Sequence, residues 1–103
     1  MSEALILTDA NLNATLNTDK PVLILISNGD GVRGDFASAF SRAVAEQPSM
    51  TFARLDPSTN PDAARRFDAG SKPLLIGWYR GAEVLRRSRP WAADLQLALE
   101  QMR

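Results

Sequence analysis

Gly29, Gly31 and Gly34 carry the G-x-G-x-x-G spacing of a phosphate-cradling loop. They follow the apolar run Val22-Leu23-Ile24-Leu25-Ile26 and precede a helical pattern. That strand–loop–helix setting is what such a loop needs, because backbone amides at a helix start face the phosphate. Asp56 lies 22 residues beyond Gly34, at the end of the next strand-like segment, where a ribose-binding carboxylate belongs. Three features oppose a dinucleotide site. The chain has room for one mononucleotide half, the glycines follow a second apolar segment rather than the first, and the C-terminal half turns into a hairpin. Nucleotide binding through Gly29, Gly31, Gly34 and Asp56 therefore stands as the alternative reading.

The residues that are missing say more. The 103-residue chain has neither cysteine nor histidine, the side chains most used for nucleophilic, redox and metal work near neutral pH. Met1, Met50 and Met102 are thioethers and cannot act as thiolates. Asp56, Asp62 and Asp68 match no metal-loop spacing, and no cofactor is expected. Twelve basic residues balance twelve acidic ones, so no net positive field points to nucleic acid or an anionic membrane. Arg86, Arg87 and Arg89 cluster without interleaved aromatics, as charges guarding an edge strand do. The N-terminal residues show no basic, apolar leader pattern, and no apolar run approaches the ~20 residues of a membrane span, so a cytoplasmic location is expected. With 45% apolar residues, the chain is expected to form one globular domain over residues 1–103.

The pattern of elements reads βαβαβαββα. Residues 4–7 form a short apolar strand, and Thr8 can cap a helix carrying Leu12 and Leu16. Val22–Ile26 is apolar throughout, as in a strand buried on both faces. Phe36, Phe40 and Val44 share one helical stripe. Residues 51–55 form the third strand, and Asn60-Pro61 places a cap and a first-turn proline at a helix start. Leu74 to Tyr79 and Glu83-Val84-Leu85 form an antiparallel pair around Arg80-Gly81. Pro90 opens the last helix, on which Trp91, Leu95, Ala98, Leu99 and Met102 share a stripe; Trp78 falls on a strand face.

From Leu5 onward the sequence resembles the thioredoxin family. Asp19-Lys20-Pro21-Val22 to Ile26 resembles that family's central strand, and Asn60-Pro61 with Phe67 its third helix. Ser71-Lys72-Pro73-Leu74 is similar to its cis-proline segment, and Arg80-Gly81-Ala82-Glu83-Val84 to its Asn-Gly-Glu-Val hairpin. The resemblance implies a thioredoxin-like α/β fold, a central mixed sheet flanked by helices. It also implies a cis Lys72–Pro73 bond and a substrate surface at the redox motif. The departures fall on that motif. In ungapped register Gly31-Val32-Arg33-Gly34 replaces Cys-Gly-Pro-Cys, Asp30 replaces the preceding tryptophan, Leu25 the buried aspartate, and Ala39 the helix-kinking proline. Thiol–disulfide exchange needs a thiolate, so the chain is not a disulfide oxidoreductase and no catalytic residue is assigned.

What remains for that surface is binding. Gly31, Val32, Arg33 and Gly34 lie at a helix start, where Arg33 can grip a carboxylate unless Asp30 and Asp35 oppose it or cap the helix themselves. Lys72 and Pro73 would border an extended partner segment, and Trp91 would anchor it if exposed, although its place on the helical stripe favours core packing. The sequence thus points to a non-catalytic protein- or peptide-binding or chaperone-like module whose partner is not nucleic acid or membrane. A purely structural or oligomerisation domain is a further alternative, and a homo-oligomer is left open.

Overall fold

The computed structural model describes residues 4–27, 32–47, 49–70 and 72–102. The run Val22–Ile26 is strand β2, every residue of it buried, at the centre of a five-stranded sheet. Strands β1 (Leu5–Leu7) and β3 (Thr51–Leu55) lie to one side of it, β4 (Leu74–Tyr79) and β5 (Ala82–Ser88) to the other, in the order β1-β3-β2-β4-β5. β1, β3 and β2 run parallel, whereas β4 and β5 run antiparallel to their neighbours. Helices α1 (Leu12–Leu16), α2 (Gly34–Glu46), α3 (Pro61–Arg66) and α4 (Ala92–Gln101) complete the expected βαβαβαββα order.

Alternation along β2 divides the core. Leu23 and Leu25 pack with Phe36, Phe40 and Val44 of α2 and with Leu95, Leu99 and the adjoining Met102 of α4. Val22, Ile24 and Ile26 face the other way, toward Leu12 and Leu16 of α1, Ala63 of α3 and the following Phe67. Each fully buried phenylalanine removes enough apolar surface from water to stabilise the fold by about 1.5–3 kcal/mol, and Phe36, Phe40 and Phe67 are all of this kind. Phe40 also meets Phe52 edge-on, with ring centroids 5.7 Å apart. Among the described residues no polar or charged side chain is buried. At Gly77 the absence of a Cβ is structural: one would lie 2.7 Å from Met102 Sδ and 3.1 Å from Leu85 Cβ. The β4–β5 register shifts at that point.

The hairpin forms as its sequence requires. Arg80 and Gly81 both have positive φ, +53° and +81°, the backbone of a two-residue type I′ turn matched to strand twist. Three expectations need correction. Helix α1 starts at Leu12, with Asn11 rather than Thr8 at its N-cap position. Thr8 serves the turn before it: Thr8 N donates to Asn11 Oδ1 (2.7 Å) and Asn11 N to Thr8 Oγ1 (3.2 Å). The last helix starts at Ala92, two residues after Pro90, so Trp91 precedes the helical stripe. Among the described residues no peptide bond is cis, so the Lys72–Pro73 bond is trans. Trans is the ground state of X–Pro by about 0.5–1 kcal/mol, and the Pro73 carbonyl accepts a hydrogen bond from Arg89 N (2.8 Å), tying the start of β4 to the end of β5.

Candidate functional site

Strand register gathers the residues of interest at one end of the sheet. Ile26 pairs with Leu55 and Leu74, and Leu74 with Ser88. The segments after β2, β3 and β5 and before β4 therefore emerge together. The two halves of the core put different surfaces on either side of this end.

On the α2–α4 side, Arg33 occupies the N-cap position of α2 in an extended conformation, and Gly34 is the first helical residue. Trp91 occupies the same position in α4, also extended, and is 55% exposed. This overturns its expected place in the core: helical periodicity does not reach a residue ahead of the helix, and the buried neighbour is Pro90. The Arg33 guanidinium lies over the Trp91 ring, 3.2 Å from its centroid, a contact worth roughly 0.5–1 kcal/mol at an exposed site. Arg33 Nε also pairs with Asp35 Oδ1 at 3.5 Å. Asp35 Oδ2 accepts from Ala92 N (3.4 Å), and Asp94 Oδ2 accepts from Trp91 N (2.7 Å). Asp94 Oδ1 lies 3.6 Å from Arg87 Nε. Two carboxylates thus meet the positive ends of α2 and α4, where negative charge is favoured. The carboxylate at Arg33 comes from the chain's own Asp35, one of the two acids that flank it in the sequence. Val32 packs against the α2–α4 core; Gly31, with Gly29 and Asp30, lies outside the described residues.

On the α3 side, Lys72 and Pro73 line a cavity of about 350 Å³. Its lining also includes Pro57, Pro61 and Ala64, and the cationic Arg65. Helix α3 is fixed from a distance: Asp9 Oδ1 accepts from Ala63 N (2.7 Å), and Asp9 N donates to Asn60 Oδ1 (3.2 Å). Sequence reasoning did not single out Asp9, since its partners lie more than fifty residues away and no local pattern links them. Asp56, the candidate ribose ligand, turns back on its own loop. Its Oδ1 accepts from Ser58 Oγ (2.6 Å) and Ser58 N (2.9 Å), and these bonds, the side-chain one foremost, hold its pKa below the ordinary aspartate value. Among the described residues no three metal-ligating side chains cluster, and no helix is long and apolar enough to cross a membrane. The arginines of β5 are engaged: Arg86 bonds Glu83 Oε1 (2.9 Å) and the Phe67 carbonyl, and Arg87 meets Asp94.

Solved structures superimpose closely on this arrangement. A Cys-to-Ser variant of Entamoeba histolytica thioredoxin matches with a TM-score of 0.86 at 19% identity, covering 96% of this chain and 99% of that one. The thioredoxin of Malassezia sympodialis matches with a TM-score of 0.81 at 14% identity, covering 99% and 92%. That of Fasciola hepatica matches with a TM-score of 0.78 at 20% identity, covering 96% and 99%. This chain has a thioredoxin fold. No protein-family model matches the sequence, and no curated protein matches it. The fold is therefore shared at identities that speak for architecture alone. Within it, the thioredoxin-like elements of this chain carry no thiol. Leu25, at the position implied for a buried aspartate, is 4% exposed in an apolar cluster. Helix α2 runs unbroken through Ala39. A redox-inactive domain follows, since no sulfur nucleophile exists to attack a disulfide.

Proposed function

We propose that this redox-inactive thioredoxin-fold domain binds an extended segment of a partner protein at the sheet end that carries Arg33, Gly34, Lys72, Pro73 and Trp91. The observation that carries the reading is the cavity beside Pro73, lined by Lys72 and walled by prolines. Its volume falls within the range of pockets that enclose a side chain or small ligand, and rigid proline walls lose little entropy when a segment settles on them. Exposed Trp91 lies two residues from Arg89, whose amide is bonded to the Pro73 carbonyl, so a large amphipathic ring stands near the same end. Aromatic rings of this kind are common anchors at protein interfaces.

The test is an NMR titration of the ¹⁵N-labelled protein with blocked, extended decapeptides of uncharged composition. Saturable shifts at Lys72, Leu74, Arg89 and Trp91 are expected, with NAD and ATP producing none there or at Asp56. Peptide-induced shifts confined to the opposite end of the sheet, or none at all, would overturn the proposal.

A further inference from the structure

Lys72 borders a second cavity, of about 380 Å³, that also touches Asp68, Leu74, Arg86 and Ser88. Both cavities include Gly70 and Lys72. They therefore adjoin at these two residues, a two-part track with the first turn of α3 at one end and the end of β5 at the other. The charges along it are uneven. Arg65 and Lys72 line the first cavity, and no described carboxylate does. The second is lined by Asp68 as well as by Lys72 and Arg86, and Arg86 is already held by Glu83 and the Phe67 carbonyl.

The two cations of the first cavity differ in what already holds them. Among the described residues Lys72 takes part in no ion pair. Arg65 is paired with Asp62 through Nη2, and a guanidinium has five N–H donors in a fork suited to carboxylates. The same lining carries apolar Pro57, Pro61, Ala64 and Pro73, together with Ser27 and Ser58. A group complementary to this lining has a short hydrocarbon stem ending in a carboxylate. A glutamate side chain has that form, with methylenes for the prolines and alanine and oxygens for Arg65 and Lys72.

We infer that the track selects an extended partner segment carrying a glutamate, whose side chain enters the first cavity while the adjoining chain crosses Gly70 into the second. This rests on the proposed binding function and adds the chemistry of the partner. The geometry also supplies a means of blocking it. A Cβ built on Gly70 meets nothing within 4 Å, so a side chain can leave the backbone there, and a large one at a residue that lines both cavities obstructs their junction.

The experiment uses three blocked decapeptides that differ at one central position, Glu, Gln or Lys, titrated by NMR at low salt. The Glu peptide is expected to bind about fivefold more tightly than the Gln peptide, the scale of a partly exposed charge contact. The Lys peptide should bind more weakly than either, and 0.5 M salt should erase the Glu preference. Lys72→Gln and Arg65→Gln should each reduce the Glu–Gln difference. Gly70→Trp should weaken the Glu peptide at least tenfold while the thermal melt stays unchanged. Equal binding of Glu and Gln peptides overturns this inference and leaves the binding function standing, whereas failure of all three peptides removes both. Binding of N-acetylglutamate amide as tight as that of the Glu peptide would also overturn it, because the site would then serve a small carboxylate rather than a segment. Undiminished Glu-peptide binding by folded Gly70→Trp would do the same.

Discussion

The two sides of the sheet end treat charge in opposite ways. At the α2–α4 corner Arg33 has both an aromatic face and a carboxylate, and Asp35 and Asp94 meet backbone amides at the start of α4. Along the α3 track the first cavity presents Arg65 and Lys72 without a carboxylate in its lining. The corner is held by its own contacts, and the track is open to another molecule's. A cationic residue at a helix start is thus a poor guide to binding until its internal partners are known. Lys72, in no ion pair among the described residues and lining a cavity with three prolines, is a better one.

The strongest way to break the corner is from beneath. Leu25→Asp would place a carboxylate among Phe36, Phe40 and Leu75. A buried charge without a partner costs about 3–5 kcal/mol, a large share of the stability of roughly 5–15 kcal/mol usual for a domain. Urea denaturation should show a sharply lowered midpoint at pH 7, with recovery as the carboxyl is protonated in mild acid. A midpoint equal to that of the parent would show that the layer under the corner is not closed to water.

Substitutions of charge partners separate the regions more finely. Asp94→Ala removes the acceptor of Trp91 N and the partner of Arg87, and loss of such a cap costs about 1 kcal/mol, or a Tm drop of roughly 4–8 °C in a domain of this size. Arg65→Ala, on the exposed rim of the track, should stay within about 0.5 kcal/mol of the parent. Equal losses in a thermal melt would abolish the distinction between a self-satisfied corner and an open track. Arg33→Ala should fall between them, costing about 0.5–1 kcal/mol through the lost ring contact, with the Trp91 indole resonance moving in the NMR spectrum. An unmoved indole would show that the guanidinium does not rest there in solution.

The smallest effect belongs to Asp56, next to the track. Hydrogen bonds from Ser58 Oγ, then Ser58 N, favour its charged form and lower its pKa. Its contribution to stability is therefore present above the unfolded-state pKa and lost as pH falls through the lower folded value. A ¹³C carboxyl titration should give a midpoint below 3.8, the ordinary aspartate value, and Ser58→Ala should move it upward. A midpoint at the ordinary value would mean that the loop is open in solution.

The fold was largely legible in the sequence because local signals agreed with the global arrangement. The apolar run of β2, the phenylalanine stripe of α2 and the Arg80-Gly81 turn each specify one element and its orientation. The site was legible only in part. That Lys72 and Pro73 share a surface follows from adjacency in the chain, but the joining of their cavity to Asp68, Arg86 and Ser88 depends on β4–β5 pairing and the placement of α3. The exposure of Trp91 was hidden because a periodic stripe gives no sign of where its helix begins. The pairing of Arg33 with Asp35 and Trp91 arises where two helix starts converge, an arrangement that no local window contains. The cis proline was inferred from resemblance, whereas the trans bond follows the ordinary preference of the peptide unit.

The two tryptophans stand in unlike surroundings, and this gives the molecule a built-in pair of optical probes. Trp78 lies half-buried on β4, edge-on to Phe67 at 6.0 Å, with Arg66 over its face. Trp91 faces solvent under the Arg33 guanidinium. Neither emission can be altered by a disulfide or an imidazole, since the chain has no cysteine or histidine. With Trp91→Phe the remaining emission follows unfolding of the α3 side, and with Trp78→Phe it follows events at the corner. One spectrometer can then distinguish a ligand that occupies the sheet end from one that merely steadies the fold.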